Sequence, residues 1–563
     1  MKKFRWQLII IFLTGLIVGI LLLREQPVAL PFMEPEPAKG GSYTEAIIGT
    51  IQRLNPVLDI HNNADRDVDR LIYSRLVIFD DRGLPQPDLA ESWGISADGT
   101  VYNITLKKNI LWHDGKPLTA DDVLFTVDMM RMGDGIVPED LKSFWSEVEV
   151  IVYDELNLQF RLPEPYAPFL DYLSFGILPK HLLNNLTFEE MVNSAFNLQP
   201  VGSGPYQFNG LQVENGVIEG VELVANPKYY GKVPYIEKFV FRFFPDGNSA
   251  FMAYRNGDVQ GIAGIPMENL ADALSDPTLS IYSSRLPELT MILFNLKDAS
   301  VPFLQESVIR QALLMGINRQ YIMDKILDGQ AIVADGPIFP GSWAYNDSQE
   351  RIPYDLNQAI DILRSNEYVL SGEDAAVRSK NDVNLEFVLI HPDSPRYLAI
   401  AEQIQSDWNA MGVKVALEAV PYDQLVLDRL TNRNYQAALV DLNLANYPDP
   451  DPYPFWDSVQ ATGGQNYSQW DDRMASEYLE NARVTVDIGE RTRLYHNFQV
   501  LFARELPALP LFYPVYNYGV SEEIQGVRLG PIFEISDRFS RVTDWYLVSQ
   551  RTLKTQPTNT LVP

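Results

Sequence analysis

The densest run of groups able to make specific polar contacts is Leu442-Asn443-Leu444-Ala445-Asn446-Tyr447-Pro448-Asp449-Pro450-Asp451-Pro452-Tyr453. Amides, carboxylates and phenols this close together suit recognition by hydrogen bonding, charge and ring stacking. Asp-Pro steps also initiate turns with no ligand involved, so Asp449 and Asp451 have a purely structural reading as well. Trp343, Tyr467, Trp470, Tyr516 and Tyr518 offer further stacking surfaces, but a chain with 28 tyrosines and 9 tryptophans must bury most of its rings.

Groups for bond-making chemistry are missing from the pattern. There is no cysteine, hence no thiolate nucleophile, disulfide framework, cysteine-based metal site or lipoprotein anchor. No Gly-x-Ser-x-Gly elbow occurs, and the acidic residues show no distinguishing context. His61, His113, His181, His391 and His496 are nowhere at tight ligand spacing. A phosphate-binding Gly-x-x-x-x-Gly-Lys loop is absent, and Gly202-Ser203-Gly204-Pro205 fails the dinucleotide fingerprint. We therefore expect no catalytic residue, cofactor or metal. A net charge of −29 repels phosphate backbones and excludes nucleic acid as a partner.

The elements that must position the polar run alternate between two periods. Val101–Leu106 places Tyr102, Ile104 and Leu106 on one face, as a strand with one apolar side. Thr119-Ala120-Asp121-Asp122 has the capping-box form before Val123, Val127 and Met130, so a helix starts there. Tyr397–Met411 carries Ala401, Ile404, Trp408 and Met411 at helical spacing, stops at Gly412 and gives way to alternating Val413, Val415, Leu417 and Ala419. Val308, Ala312 and Met315 mark another helix, Asn318 caps one running to Gly329, and Leu494, Phe498 and Leu501 mark a last one. Mixed elements without a repeat predict α/β lobes, and 563 residues predict two or three of them.

Lys2, Lys3 and Arg5 precede an apolar run from Leu8 to Leu23, and Arg24-Glu25-Gln26-Pro27 lacks a small-x-small cleavage pattern. Residues 1–26 read as an uncleaved signal anchor, with a cleaved signal peptide as the alternative; both put the rest outside the cell membrane. Residues 27–41 read as a proline-rich spacer, and 551–563 as a disordered tail.

A set of collinear motifs goes further. Pro87-Asp-Leu-Ala-Glu-Ser-Trp93, Asp98-Gly99, Asp114-Gly115-Lys116-Pro117-Leu118-Thr119-Ala120, Val201-Gly202-Ser203-Gly204-Pro205-Tyr206, Asn226-Pro227, Asn256-Gly257-Asp258, Phe294-Asn295 and Ile309-Arg310-Gln311-Ala312-Leu313 follow in order. Together they resemble the peptide/nickel-type solute-binding proteins, family 5, over about Gly41 to Trp545. The glycines of the Gly202 motif read as positions needing backbone angles closed to other residues.

The resemblance implies a periplasmic-binding-protein-like fold of type II with two lobes, the first carrying an extra subdomain. Lobe I is assigned to 41–75, 201–289 and 511–550, the inserted subdomain to 76–200, and lobe II to 290–510, with crossovers near Met291–Leu296 and Leu509–Tyr516. It implies the binding component of an ABC importer: a monomer on the outer face of the cell membrane that closes on an oligopeptide or dipeptide and delivers it to permease subunits driven by their ATPase. It places Asn446, Tyr447, Asp449 and Asp451 on a loop facing the cleft, with Asn295, Trp343, Tyr467, Trp470 and Tyr516 as further ligand-contact candidates. In peptide-binding members an aspartate pairs with the peptide's α-ammonium at the position held here by Asn446. An oligosaccharide ligand and a membrane-tethered signalling receptor stay open as alternatives.

Overall fold

The computed structural model describes residues 12–16, 32–372, 376–443 and 447–554. The expected anchor lies outside these except for a helical turn at 12–16, as does Asn446. Among the described residues no helix is long and apolar enough to cross a membrane.

One long sheet runs through two halves of the molecule. In the first half, Ser42–Ile48 pairs in parallel with Lys238–Phe244, which continues antiparallel to Val217–Ala225 and Tyr206–Glu214. In the second half, Glu386–Pro392 pairs in parallel with Lys414–Val420 and with the Ala437–Asn443 strand. Ala508–Ser521 belongs to both. Its early residues pair with Glu288–Phe294, and its later ones with Leu279–Arg285. The chain therefore passes between the halves twice, side by side.

The first crossing strand is interrupted between Arg285 and Glu288, ahead of the expected Met291–Leu296, and both of its parts pair with Ala508–Ser521. Pro287 sits there without an N–H to give a ladder, so pairing breaks at that point. A bulge at Thr290/Met291 follows opposite Pro510.

Residues 76–200 build their own four-stranded antiparallel sheet, in the order Ala90–Ile95, Val101–Leu106, Asn157–Arg161, Glu149–Val152. Tyr102, Ile104 and Leu106 are buried, as the alternation requires. The Ala120–Arg131 helix begins at the capping box, with the Asp122 carboxylate accepting the Thr119 N–H at 2.8 Å. This segment shares one continuous apolar cluster with the first half, whereas the second half has separate cores around Trp408 and Phe502. The Pro395–Ala410 helix, Gly412 turn and Lys414–Val420 strand follow the expected order.

Two expectations differ from the structure. Phe32–Ala38, expected as spacer, pairs antiparallel with Val548–Lys554, which includes the start of the expected tail. Both segments are extended, and each supplies the other with ladder partners. Gly202 and Gly204 do not need unusual backbone angles. A Cβ on them would sit 2.0 Å from the Ile72 carbonyl oxygen and 2.5 Å from that of Leu71, so close backbone approach is what demands glycine. His113 fastens the same motif: its Nδ1 accepts the Gly202 N–H at 3.1 Å and its Nε2 lies 3.1 Å from the Gly204 carbonyl.

Candidate functional site

The polar loop leaves the end of the Ala437–Asn443 strand, beside the crossing strands, and returns through Pro448 to Pro452 into a short helix at Tyr453–Trp456. Three prolines in five residues stiffen it and withhold backbone donors. Each of its two carboxylates is taken up by an arginine. Asp449 forms an ion pair with Arg491 at 2.7 Å, and the two side chains are only 7% and 5% exposed. Asp451 accepts from Arg483 through both oxygens at 2.7 to 3.0 Å.

These arginines stand on consecutive helices, Arg473–Val484 and Ile488–Glu505. Aromatic rings enclose them. Arg483 lies over Tyr453 at 4.1 Å and Tyr166 at 5.3 Å; Arg491 lies over Trp343 at 5.0 Å and Tyr495 at 5.6 Å. Burial works against the Arg491 charge, but the adjacent Asp449 outweighs it and its pKa is raised. The same balance, with Asp451 as partner, raises Arg483.

The inserted segment meets the loop directly. Tyr172 stacks on Tyr447 with ring centres 4.8 Å apart, and Asp171 accepts the Asp449 N–H at 2.6 Å. The Tyr166 hydroxyl reaches Asp451 at 3.4 Å, and the Trp343 main-chain N–H donates to the Arg82 carbonyl at 3.0 Å. Burial raises the Tyr447 phenol, with Tyr172 and Glu534 adding to it. Glu534, on the C-terminal stretch of the first half, pairs with Arg75 at 3.6 Å.

The structure thus brings Tyr447, Asp449, Asp451 and Trp343 into one cluster. Asn295, Tyr467 and Trp470 form another within the second half. Asn295 accepts from Gln469 at 2.6 Å and donates to the Arg433 carbonyl, and Arg433 lies over the Tyr467 ring at 5.0 Å. Trp470 is 5% exposed and packs on Phe498 and Phe502. Tyr516, also buried, stands apart on the crossing strand and donates to the Ala263 carbonyl. Residue-type reasoning missed Arg483, Arg491, Asp171 and Tyr172. No local signal marks them, because the arginines lie 32 and 42 residues from their aspartates and Asp171 lies 278 residues from Asp449.

The histidines are individually engaged. His181 pairs with Asp114 at 2.7 Å, while His61, His391 and His496 each contact a main-chain carbonyl. Among the described residues no group of three or more ligand-type side chains could hold a metal ion.

Two α/β halves joined by paired strands, with a polar aromatic loop gripped between them, define a two-lobed solute-binding clamp. The chain belongs to the bacterial extracellular solute-binding proteins, family 5, whose family model, described as "family 5 Middle", matches residues 85–465. It is similar to the oligopeptide-binding protein AppA of Bacillus subtilis (strain 168), with 26% identity over 88% of this chain and 90% of that protein. It is also similar to the dipeptide-binding protein of Escherichia coli (strain K12), 27% identical over 82% of this chain and 87% of that one. The solved structure of HbpA2 from Haemophilus parasuis shares the fold with a TM-score of 0.77 at 23% identity, covering 88% of this chain and 99% of that chain.

Proposed function

We propose that this protein captures an oligopeptide or dipeptide between its two lobes outside the cell membrane and hands it to the permease of an ABC importer, without chemical change. What supports this is a polar aromatic loop held between two halves joined by crossing strands, in a chain whose relatives AppA and the dipeptide-binding protein are named for peptides. A ligand there is desolvated on two faces at once, and its binding selects the closed shape.

In this reading lobe I comprises 41–75, 201–289 and 511–550, the inserted subdomain 76–200 and lobe II 290–510. Residues 1–26 anchor the clamp, which acts as a monomer. Tyr447 and Asn446 are the loop residues we assign to ligand contact. Asp449 and Asp451 act one step back, because resident arginines already neutralise them. A charged peptide terminus therefore finds no unpaired carboxylate on these two residues.

The test is mass spectrometry of small molecules released on denaturing the purified full-length protein, followed by thermal shift with what is found. Short peptides should be released and should raise the melting temperature. Oligosaccharides doing so in place of peptides, or a ligand returned chemically altered, would overturn the assignment.

A further inference from the structure

Asp171 and Tyr172 lie on the Ala167–Leu173 turn of the inserted subdomain, and their partners Asp449 and Tyr447 lie on the lobe II loop. Other contacts cross the same gap. The Tyr166 ring lies under Arg483, a Cβ on Gly83 would come within 3.1 Å of the Pro448 carbonyl oxygen, and one on Gly99 would meet Val486 at 3.0 Å. All run directly from protein to protein.

We propose that the inserted subdomain is a latch: Asp171 and Tyr172 grip the 447–453 loop, hold the clamp shut and thereby position the ligand-contacting side of that loop. The inference rests on the two-lobed clamp reading of the chain and adds a component to closure separate from ligand binding.

The latch is sensitive to protons because of where Asp171 sits. The residue is 5% exposed, and burial followed by the nearby Asp449 charge raises the pKa of its carboxyl well above the ordinary range. The Asp449 N–H and Arg491 oppose this, and Asp451 reinforces it. Tyr447 faces it from the loop; Tyr166, Tyr172 and Asp140 lie on its own subdomain, Arg483 lies behind Asp451, and Glu534 lies on lobe I. In the open clamp Asp171 meets water and titrates near its ordinary value of about 4. Closing then takes up a proton. The closed fraction is greatest at and below that pH and falls as pH rises through the raised value.

The chain has no cysteine, so spin labels go only where they are placed. Met132→Cys on the insert and Met474→Cys on lobe II occupy exposed positions, at 55% and 53%. Double electron–electron resonance on the labelled full chain, dialysed free of small molecules, reads the gap. The short-distance population should fall about three- to tenfold relative to the long one in Asp171→Ala, and comparably in Tyr172→Leu, which keeps its apolar bulk. Asp171→Asn keeps a neutral acceptor for the Asp449 N–H, so it should stay closed and lose the pH dependence. Melting curves check that each variant is folded. Wild-type distance distributions in folded Asp171→Ala and Tyr172→Leu, or an unchanged pH profile in Asp171→Asn, would overturn the latch. Failure of the peptide reading would show instead in the ligand-release experiment, which needs neither label nor latch.

Discussion

Arg538 and Arg491 make the same contact in different settings. Arg538 is fully buried in lobe I, held by Glu45 at 2.8 Å and by both oxygens of Asp67 at 2.6 and 2.7 Å. The Tyr43 and Tyr518 hydroxyls donate to the same Glu45, and all five residues belong to elements packed on one continuous core. Arg491 is nearly as buried, but its partner Asp449 rides on a loop whose backbone is held from the opposite side by Asp171. The first network cannot relax without opening a lobe, and the second can relax by letting the loop swing into water. Equal burial thus gives unequal consequences, and the fold decides which pair is a staple and which is a clasp.

The largest effect should come from removing the staple. Arg538→Ala leaves Glu45 and Asp67 buried with no cation, and loss of one partner of a buried ion pair costs about 3–5 kcal/mol. Urea unfolding should show that loss as a lower midpoint at unchanged slope. A loss under about 1 kcal/mol would mean that the two carboxylates take up protons cheaply, and the contrast with Arg491 would collapse.

Acid tests another rigid fastening in the same half. Burial lowers His113 to about 4, and its Nδ1 must stay unprotonated to accept the Gly202 N–H. In the unfolded chain it returns to about 6.5, so between those values the unfolded state binds the extra proton. Its contribution is complete above about pH 6.5 and is lost as pH falls to about 4, to the extent of roughly 2–3 kcal/mol. Unfolding curves at pH 7, 5.5 and 4.5 should show a flatter profile for His113→Asn than for wild type over this window. Buried Asp59 and Asp69, raised by burial, push the total the other way, so only the difference between the two proteins is diagnostic.

Next comes Arg491→Ala, which should cost about 1–3 kcal/mol in global unfolding, less than Arg538→Ala because the loop carries its aspartate out to solvent. Its signature is instead a cleft that opens, read as a shift of the interlobe distance toward the long population. Equal stability losses in the two variants would erase the distinction between staple and clasp.

How much of this was legible in the sequence follows from how local each signal is. The Val101–Leu106 strand, the Thr119 cap and the helix ending at Gly412 are fixed by periodicity and capping within a few residues, and all three appear in place. The loop itself was visible because its polar groups are contiguous. Its partners were not. Arg483 and Arg491 are separated from it by tens of residues, and Asp171 by 278, so only the tertiary fold brings them together. Asn295 and Trp470 were read as ligand candidates from type and motif position, yet both spend their polar or apolar groups inside lobe II. The glycines of the Gly202 motif were legible as constrained positions, but the constraint is a neighbouring carbonyl that no local pattern displays.

The smallest predicted effect separates charge from geometry within the clasp. Arg483 binds Asp451 through two nitrogens and lies against Tyr453 and Tyr166, with 28% of its side chain exposed. Arg483→Lys keeps the positive charge but loses the forked hydrogen bonds and the flat face over the rings. For a pair this open to solvent the cost should be about 1 kcal/mol or less. The loss should fall on the open–closed balance, because Tyr166 and Asp451 belong to opposite sides of the cleft. Arg483→Lys should therefore lengthen the interlobe distance slightly while leaving the urea midpoint near wild type. A variant that lowers the midpoint without moving the distance would make Arg483 part of the lobe II core and leave the clasp to Arg491 and Asp171.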